Sequence, residues 1–193
     1  MRVIAGQAKG TRLTELKGSP VRPTLDQVKE TLFNILGYNL SGEYFLDWFG
    51  GSGAIGIEAL SRGAEKVVWV ENNRKSQDLI YSNLKKCRLW NGENESSYIK
   101  WKLLKMDALK AVSILEKSCL IFDVIYIDPP FENNLYNECL NMLPGSQLLK
   151  ASTLVVVEHN KNNILEKFYG KLSLKDQRIV GSTALSFYHL KKV

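Results

Sequence analysis

Residues 46–71, LDWFGGSGAIGIEALSRGAEKVVWVE, leave this chain few folds to choose from. An apolar run ends in Asp47, glycines follow at 50, 51, 53 and 56, a helix-patterned stretch stops at Gly63, and a second apolar run ends in Glu71. Strand, tight turn, helix and strand in that order make a crossover unit, the connection that parallel strands require. The spacing Gly51-x-Gly53-x-x-Gly56 with an acid closing the next strand is that of a dinucleotide-type loop. The question is what that loop holds.

The alternation continues. Strands are expected at 44–49, 66–71, 98–104, 122–128 and 153–159, and helices at 54–62, 74–87, 108–117 and 135–143. The strands are apolar on both faces, as in a parallel sheet covered by helices on both sides. The tail KLSLKDQRIVGSTALSFYHLKK reads as two strands joined at Val180-Gly181-Ser182, an antiparallel addition. Ligands of such sheets sit beyond the carboxyl ends of the strands. That singles out Asp47, Glu71, Asp107, Asp128 and Glu158. Thr24 with Gln27 forms a capping-box pattern, and Leu25, Val28, Leu32, Ile35 and Leu36 make the apolar stripe of the helix that follows.

Length and charge bound the function class. The chain of 193 residues suits one domain with a full core. No apolar run is long enough to span a membrane, and MRVIAGQAKG lacks the apolar core of a signal peptide. Cys87, Cys119 and Cys139 are widely spaced and odd in number, which suits reduced thiols in a cytoplasmic protein with no metal site. The formal net charge is +6, and much of the excess lies at the front, where Arg2, Lys9, Arg12, Lys17 and Arg22 face one acid, Glu15. A solvated surface would explain scattered bases, but their concentration before the helix favours phosphate contact. Gly6 and Gly10 suggest a turn between two short strands there. Residues 1–20 are therefore expected to form a basic β-hairpin extension and 21–193 the main domain.

Charge chooses between cofactors for the glycine loop. A nicotinamide cofactor would bring a pyrophosphate close to Asp47, and like charges repel at short range. S-adenosylmethionine carries an ammonium and a sulfonium, which Asp47 would attract. Glu71 can accept hydrogen bonds from two ribose hydroxyls, and Asp107 lies where an adenine amino group would arrive. A ligand-free glycine turn with ordinary strand-end acids is the plainer alternative. Three acids on successive strand ends weigh against it.

A second constellation, Asp128-Pro129-Pro130-Phe131, ends the fourth strand. Two prolines cannot continue a central strand, so the loop is stiff whatever its purpose. It suits an exocyclic amine on a nucleobase. Asp128 and the Pro129 carbonyl would each accept one N–H, and Phe131 would offer a stacking face. Catalysis would then rest chiefly on holding nucleophile, methyl and leaving sulfur in line.

The segments MRVIAGQAKGTRL, VRPTLDQVKETLFNIL, FLDWFGGSGAIGIEALSRGA, VVWVENN, DVIYIDPPF and VVVEHNK together resemble the bacterial RsmD-type 16S rRNA guanine-N2 methyltransferases, over most of the chain. The resemblance implies a Rossmann-like, seven-stranded, mostly parallel sheet. It implies S-adenosylmethionine held by Asp47, Phe49, Gly50, Gly51, Ser52, Gly53, Glu71, Asn72, Asp107, Ala108 and Thr24. It further implies a catalytic loop of Asp128, Pro129, Pro130 and Phe131, with Arg2, Lys9, Arg12 and Arg22 on the RNA and Arg22, Pro23 and Thr24 near both ligands. The implied partner is 16S rRNA, free or in a partly assembled small subunit, met by a cytoplasmic monomer. Phe131 replaces the family's usual tyrosine, and Trp48 and Gly50 stand where smaller apolar residues or alanine are expected. Three other readings stay open at this point: an N6-adenine or N4-cytosine methyltransferase, a nicotinamide-dependent oxidoreductase, and a non-catalytic RNA-binding module.

Overall fold

The computed structural model describes residues 1–15, 26–90, 100–130 and 135–191. The helices are α1 (Asp26–Leu36), α2 (Ala54–Ser61), α3 (Arg74–Lys86), α4 (Ala108–Lys117) and α5 (Leu135–Met142). The strands are β1 (Tyr44–Asp47), β2 (Lys66–Val70), β3 (Trp101–Leu104), β4 (Phe122–Ile127), β5 (Leu149–Asn160), β6 (Phe168–Tyr169), β7 (Leu172–Val180) and β8 (Thr183–Leu190). All belong to one sheet in the order β3-β2-β1-β4-β5-β8-β7-β6. The first five strands in that order run parallel, and β8, β7 and β6 add antiparallel pairing. The strand count therefore exceeds the expected seven by the two-residue β6, which pairs Tyr169 with Leu172 across a tight turn at Gly170.

Period-two alternation divides the strand side chains between two cores. Phe45 faces α1, α2 and α3 in a core with Val28, Leu32, Phe33 and Trp69. Leu46, one residue on, faces α4 and α5 with Ile125, Val112 and Leu140. Each buried Leu, Ile, Val or Phe contributes about 1.5–3 kcal/mol relative to exposure, which is why neither face of the sheet is polar.

The front end departs from expectation. Arg2 and Arg12 form a single antiparallel bridge rather than a two-stranded ladder. Val3 N donates to Thr11 O at 2.9 Å and Leu13 N to Met1 O at 3.1 Å, closing the segment on itself. It lies flat on α2. A Cβ on Gly6, whose φ is 80°, would come within 1.8 Å of Ser61 O, so only glycine lets the backbones approach. Helix α1 is described from Asp26, and the expected cap Thr24 and Leu25 lie outside the described residues. Its apolar stripe is also rotated: Ile35 is exposed, while Lys29 and Phe33 are buried.

Strand β5 starts four residues before the expected 153. Its early part pairs Leu149 with Phe122, and the register shifts before Val124 meets Leu154. Among the described residues, no helix is long and apolar enough to cross a membrane.

Candidate cofactor and substrate site

The strand order reverses between β1 and β4, so helices leave the sheet in opposite directions and open a cleft beyond those two strand ends. Asp47 ends β1 and Asp128 follows β4. These two strands are paired, with Asp47 opposite Tyr126 and Trp48 N donating to Tyr126 O at 2.9 Å. The glycine loop fills one side of the cleft. Gly50 N donates to Val70 O at 2.9 Å, Gly53 N to Gly50 O at 2.7 Å, and Ile57 N to Gly53 O at 2.8 Å. Gly51 and Gly53 take φ of 52° and 78°, the left-handed region that side chains avoid. Gly56 serves another end: a Cβ there would lie 2.4 Å from the Trp69 indole, so this glycine lets α2 press onto β2.

Asp47 is buried, and its Oδ2 accepts the Gly56 N–H at 3.1 Å. Burial pushes its pKa up to about 7, the Gly56 N–H opposes this, and the negative charge of Glu71 adds to it. A buried carboxyl this close to neutrality has its charge uncompensated, the condition that a cationic ligand relieves.

Glu71 holds the loop itself. Its Oε2 accepts from Gly51 N at 2.8 Å and its Oε1 from Asn73 N at 2.7 Å. Burial raises its pKa, and the N–H groups of Asn73, Gly51 and Asn72 pull it back. Asn73 in turn caps α3, its Oδ1 accepting from Lys75 N at 2.9 Å.

Asp107 is exposed and caps α4, its Oδ1 accepting from Leu109 N at 3.0 Å and Lys110 N at 3.2 Å. The capping oxygen is thus committed to the backbone, a role the sequence reading did not give it. Beside it, Ala108 is buried and its carbonyl accepts the Trp48 Nε1–H at 2.8 Å. This explains the large residue at 48. A fully buried indole ties the end of β1 to the start of α4. Phe49 is half-buried against the same core.

At the β4 end, Asp128 is half-buried, Pro129 buried and Pro130 exposed, and Phe131 lies outside the described residues. Behind them the Tyr126 hydroxyl donates to Glu158 Oε2. Burial, and then the charges of Glu158 and Asp128, hold the Tyr126 pKa well above the phenol range. Glu158, the remaining strand-end acid, lies two residues before the end of β5, opposite Leu185, and is buried. It accepts from Tyr126, and its negative charge also bears on Asp47.

His159 is also spent internally. Its Nδ1 lies 2.9 Å from the Asn160 carbonyl, which can only accept, so Nδ1 carries the proton and Nε2 accepts from Ser186 Oγ at 2.8 Å. Burial lowers its pKa, and the hydrogen bond to the Asn160 carbonyl opposes this.

Of the basic residues expected on RNA, Arg2, Lys9 and Arg12 are exposed, with Arg2 Nε 3.9 Å from Asp26. Lys17, Arg22, Pro23 and Thr24 lie outside the described residues.

Sequence reasoning missed a buried polar network under this front end. Glu58, fully buried in α2, accepts from Ile4 N at 2.8 Å, Ala5 N at 2.9 Å and Arg62 Nε at 2.9 Å. Lys29 Nζ lies 3.4 Å from Glu58 and donates to Arg2 O. Desolvation lowers the Lys29 pKa, and Glu58 counters it. Asn83 of α3 is likewise fully buried. The available signal was a lysine at a core position of α1, between Val28 and Leu32.

Comparison with known proteins places these features in context. The family described as conserved hypothetical protein 95 matches residues 1–189. The Escherichia coli K12 protein named ribosomal RNA small subunit methyltransferase D is 31% identical over 188 residues, covering 97% of this chain and 89% of that protein. Its Haemophilus influenzae namesake is 37% identical over 169 residues, covering 86% and 81%. The solved Escherichia coli structure of yhhF superposes with a TM-score of 0.80 at 31% identity, covering 99% of this chain and 98% of that one.

Proposed function

This chain belongs to the conserved hypothetical protein 95 family, that of the RsmD-type methyltransferases, and from that premise we propose that it methylates the exocyclic N2 amine of a guanine in small-subunit rRNA, using S-adenosylmethionine. The observation that carries the cofactor reading is Asp47: a buried carboxyl with its pKa near 7, at the mouth of a loop with three side-chain-free positions, 50, 51 and 53. That environment suits the cationic methionine end and penalises a pyrophosphate. Glu71 and Asp107 follow on the next two strand ends, where ribose and adenine would lie. Glu71 must then share its oxygens between the loop N–H groups and the ribose hydroxyls.

The bound cofactor supplies an electrophilic methyl on a sulfonium. The chain's own residues position the nucleophile. The Asp128 carboxylate and Pro129 carbonyl accept the two N–H bonds of the amine, drawing its lone pair out of conjugation and toward the methyl carbon. Asp128, or water beside it, would take up the proton that the amine loses when it is methylated. Guanine N2 is engaged in a G·C pair, so the target base must be unpaired or flipped. The exposed Arg2, Lys9 and Arg12, with Arg22, are assigned to RNA phosphates.

Thermal stabilisation by S-adenosylhomocysteine, set against NADH, tests the cofactor. Stabilisation by NADH alone would return the loop to a nicotinamide enzyme. Nucleoside analysis of rRNA treated with the protein tests the base: N2-methylguanosine is expected, and a methylated adenine or cytosine would overturn the specificity. Asp128→Ala should lower turnover by about 10²–10⁴-fold with cofactor affinity unchanged, the range of a lost transition-state contact.

A further inference from the structure

Asn83 stands at the junction of three elements. Its Oδ1 accepts from Thr14 N at 2.8 Å, and its Nδ2 donates to Thr14 O at 3.1 Å and to Ser52 O at 3.0 Å. One fully buried amide therefore pairs both backbone groups of Thr14 and, with its remaining hydrogen, the carbonyl of Ser52 inside the glycine loop. Lys86, one turn further along α3, donates to the Thr14 hydroxyl and fastens the same point. Other tethers of the front segment reach α2, where Ile4 N and Ala5 N donate to Glu58 and Ala8 N donates to Ser61 Oγ at 2.9 Å, and α1, where Lys29 donates to Arg2 O. Only the Asn83 link, among these, touches the loop.

We propose that Asn83 is a positioning residue that makes docking of the front segment and ordering of the cofactor loop a single linked event, resting on the reading of that loop as the S-adenosylmethionine site. The amide has no spare donor: both Nδ2 hydrogens are used, one on each partner. If Thr14 leaves, Asn83 loses two of its three bonds and is free to turn away from Ser52. If Ser52 is held in place by a ligand, Asn83 is held in the orientation that receives Thr14. The coupling is reciprocal, as any linkage between two equilibria must be. A segment carrying Arg2, Lys9 and Arg12 would thereby report its state to the cofactor loop through a neutral, buried group.

Amide hydrogen exchange on the full chain tests this, with S-adenosylhomocysteine as the probe and calorimetry to establish that it is bound. In the wild type, saturating ligand should slow exchange at Thr14 N–H severalfold more than at Lys191 N–H, which bonds Lys171 O on the far side of the sheet. Asn83→Ala should abolish the excess at Thr14 and weaken the ligand about tenfold. Thr153→Ala, which removes a buried bond to Phe122 O at the other end of the sheet, controls for lost stability and should leave ligand affinity unchanged. Equal slowing at Thr14 and Lys191 with ligand bound would overturn the coupling. So would wild-type affinity in Asn83→Ala. No ligand heat in the wild type would instead overturn the cofactor reading.

Discussion

Asp47 carries the sharpest expectation at the scale of single residues. Its folded pKa, about 7, lies above the ordinary 3.8. The folded chain thus holds a proton that the unfolded chain has already lost. Stability from this group is full below about pH 4 and falls as pH rises toward 7, with a slope of at most about 1.4 kcal/mol per pH unit. A cation beside it reverses the preference and expels the proton. Calorimetry at pH 6 in buffers of different ionisation enthalpy should therefore show close to one proton released on cofactor binding, and much less at pH 8. Asp47→Asn keeps an acceptor for the Gly56 N–H, so it should fold, remove the release and weaken the cofactor at least tenfold. Gly56 is the opposite kind of residue. Gly56→Ala drives a methyl into Trp69 and should cost about 1–3 kcal/mol, a loss of several degrees in Tm by calorimetry, without touching the charge of the site.

Among elements, α2 carries the loop at its start and the front segment along its buried side. Glu58 is the centre of that contact, and it is a charge held out of water by Lys29, Arg62 and two backbone N–H groups. Removing one partner of such a group costs about 3–5 kcal/mol, whereas removing both charges costs far less. Lys29→Met should accordingly lower urea stability by that amount. Lys29→Met with Glu58→Gln should recover part of it, because the amide oxygen still accepts from Ile4 or Ala5. A double mutant less stable than the sum of the two singles would contradict this account. Deleting the front segment is for the same reason a poor test of RNA binding, since it strips Glu58 and Lys29 of their partners.

For the whole molecule, the proposed site lies at the carboxyl ends of β1 to β4, on the parallel part of the sheet. The exposed bases of the front segment lie on the α2 side of the same molecule. If they meet RNA phosphates, affinity must fall with salt by about 0.7–0.9 log units per log unit of salt for each phosphate neutralised. Exchanging Arg2, Lys9 and Arg12 together for Gln should reduce that slope by about 2 to 3, measured by filter binding across a salt series. Each of the three is exposed, so the fold should be untouched. An unchanged slope would move the RNA surface to the rim near Pro130.

Much of this architecture is written in local spacing. Alternating apolar runs and 3.6-residue stripes set strand and helix because backbone geometry puts residues two, three or four apart on one face. The glycine and proline positions mark turns because those residues alone take, or refuse, the required dihedrals, so the strand-end acids Asp47, Glu71, Asp107 and Asp128 were legible before any coordinates. Spacing could not separate Gly56, which serves packing, from Gly51 and Gly53, which shape the loop, since all three match one pattern. It could not show that Glu158 would be buried, because that depends on the neighbouring strand β8, which pairs with it only in the fold. It also missed the Glu58 and Asn83 networks altogether. The bonds that Glu58 and Asn83 make to the front segment join residues 53 to 69 apart in the chain, and no local period records them. They exist only because the folded sheet brings the first residues of the chain onto α2 and α3, where desolvation turns ordinary polar side chains into obligatory partners.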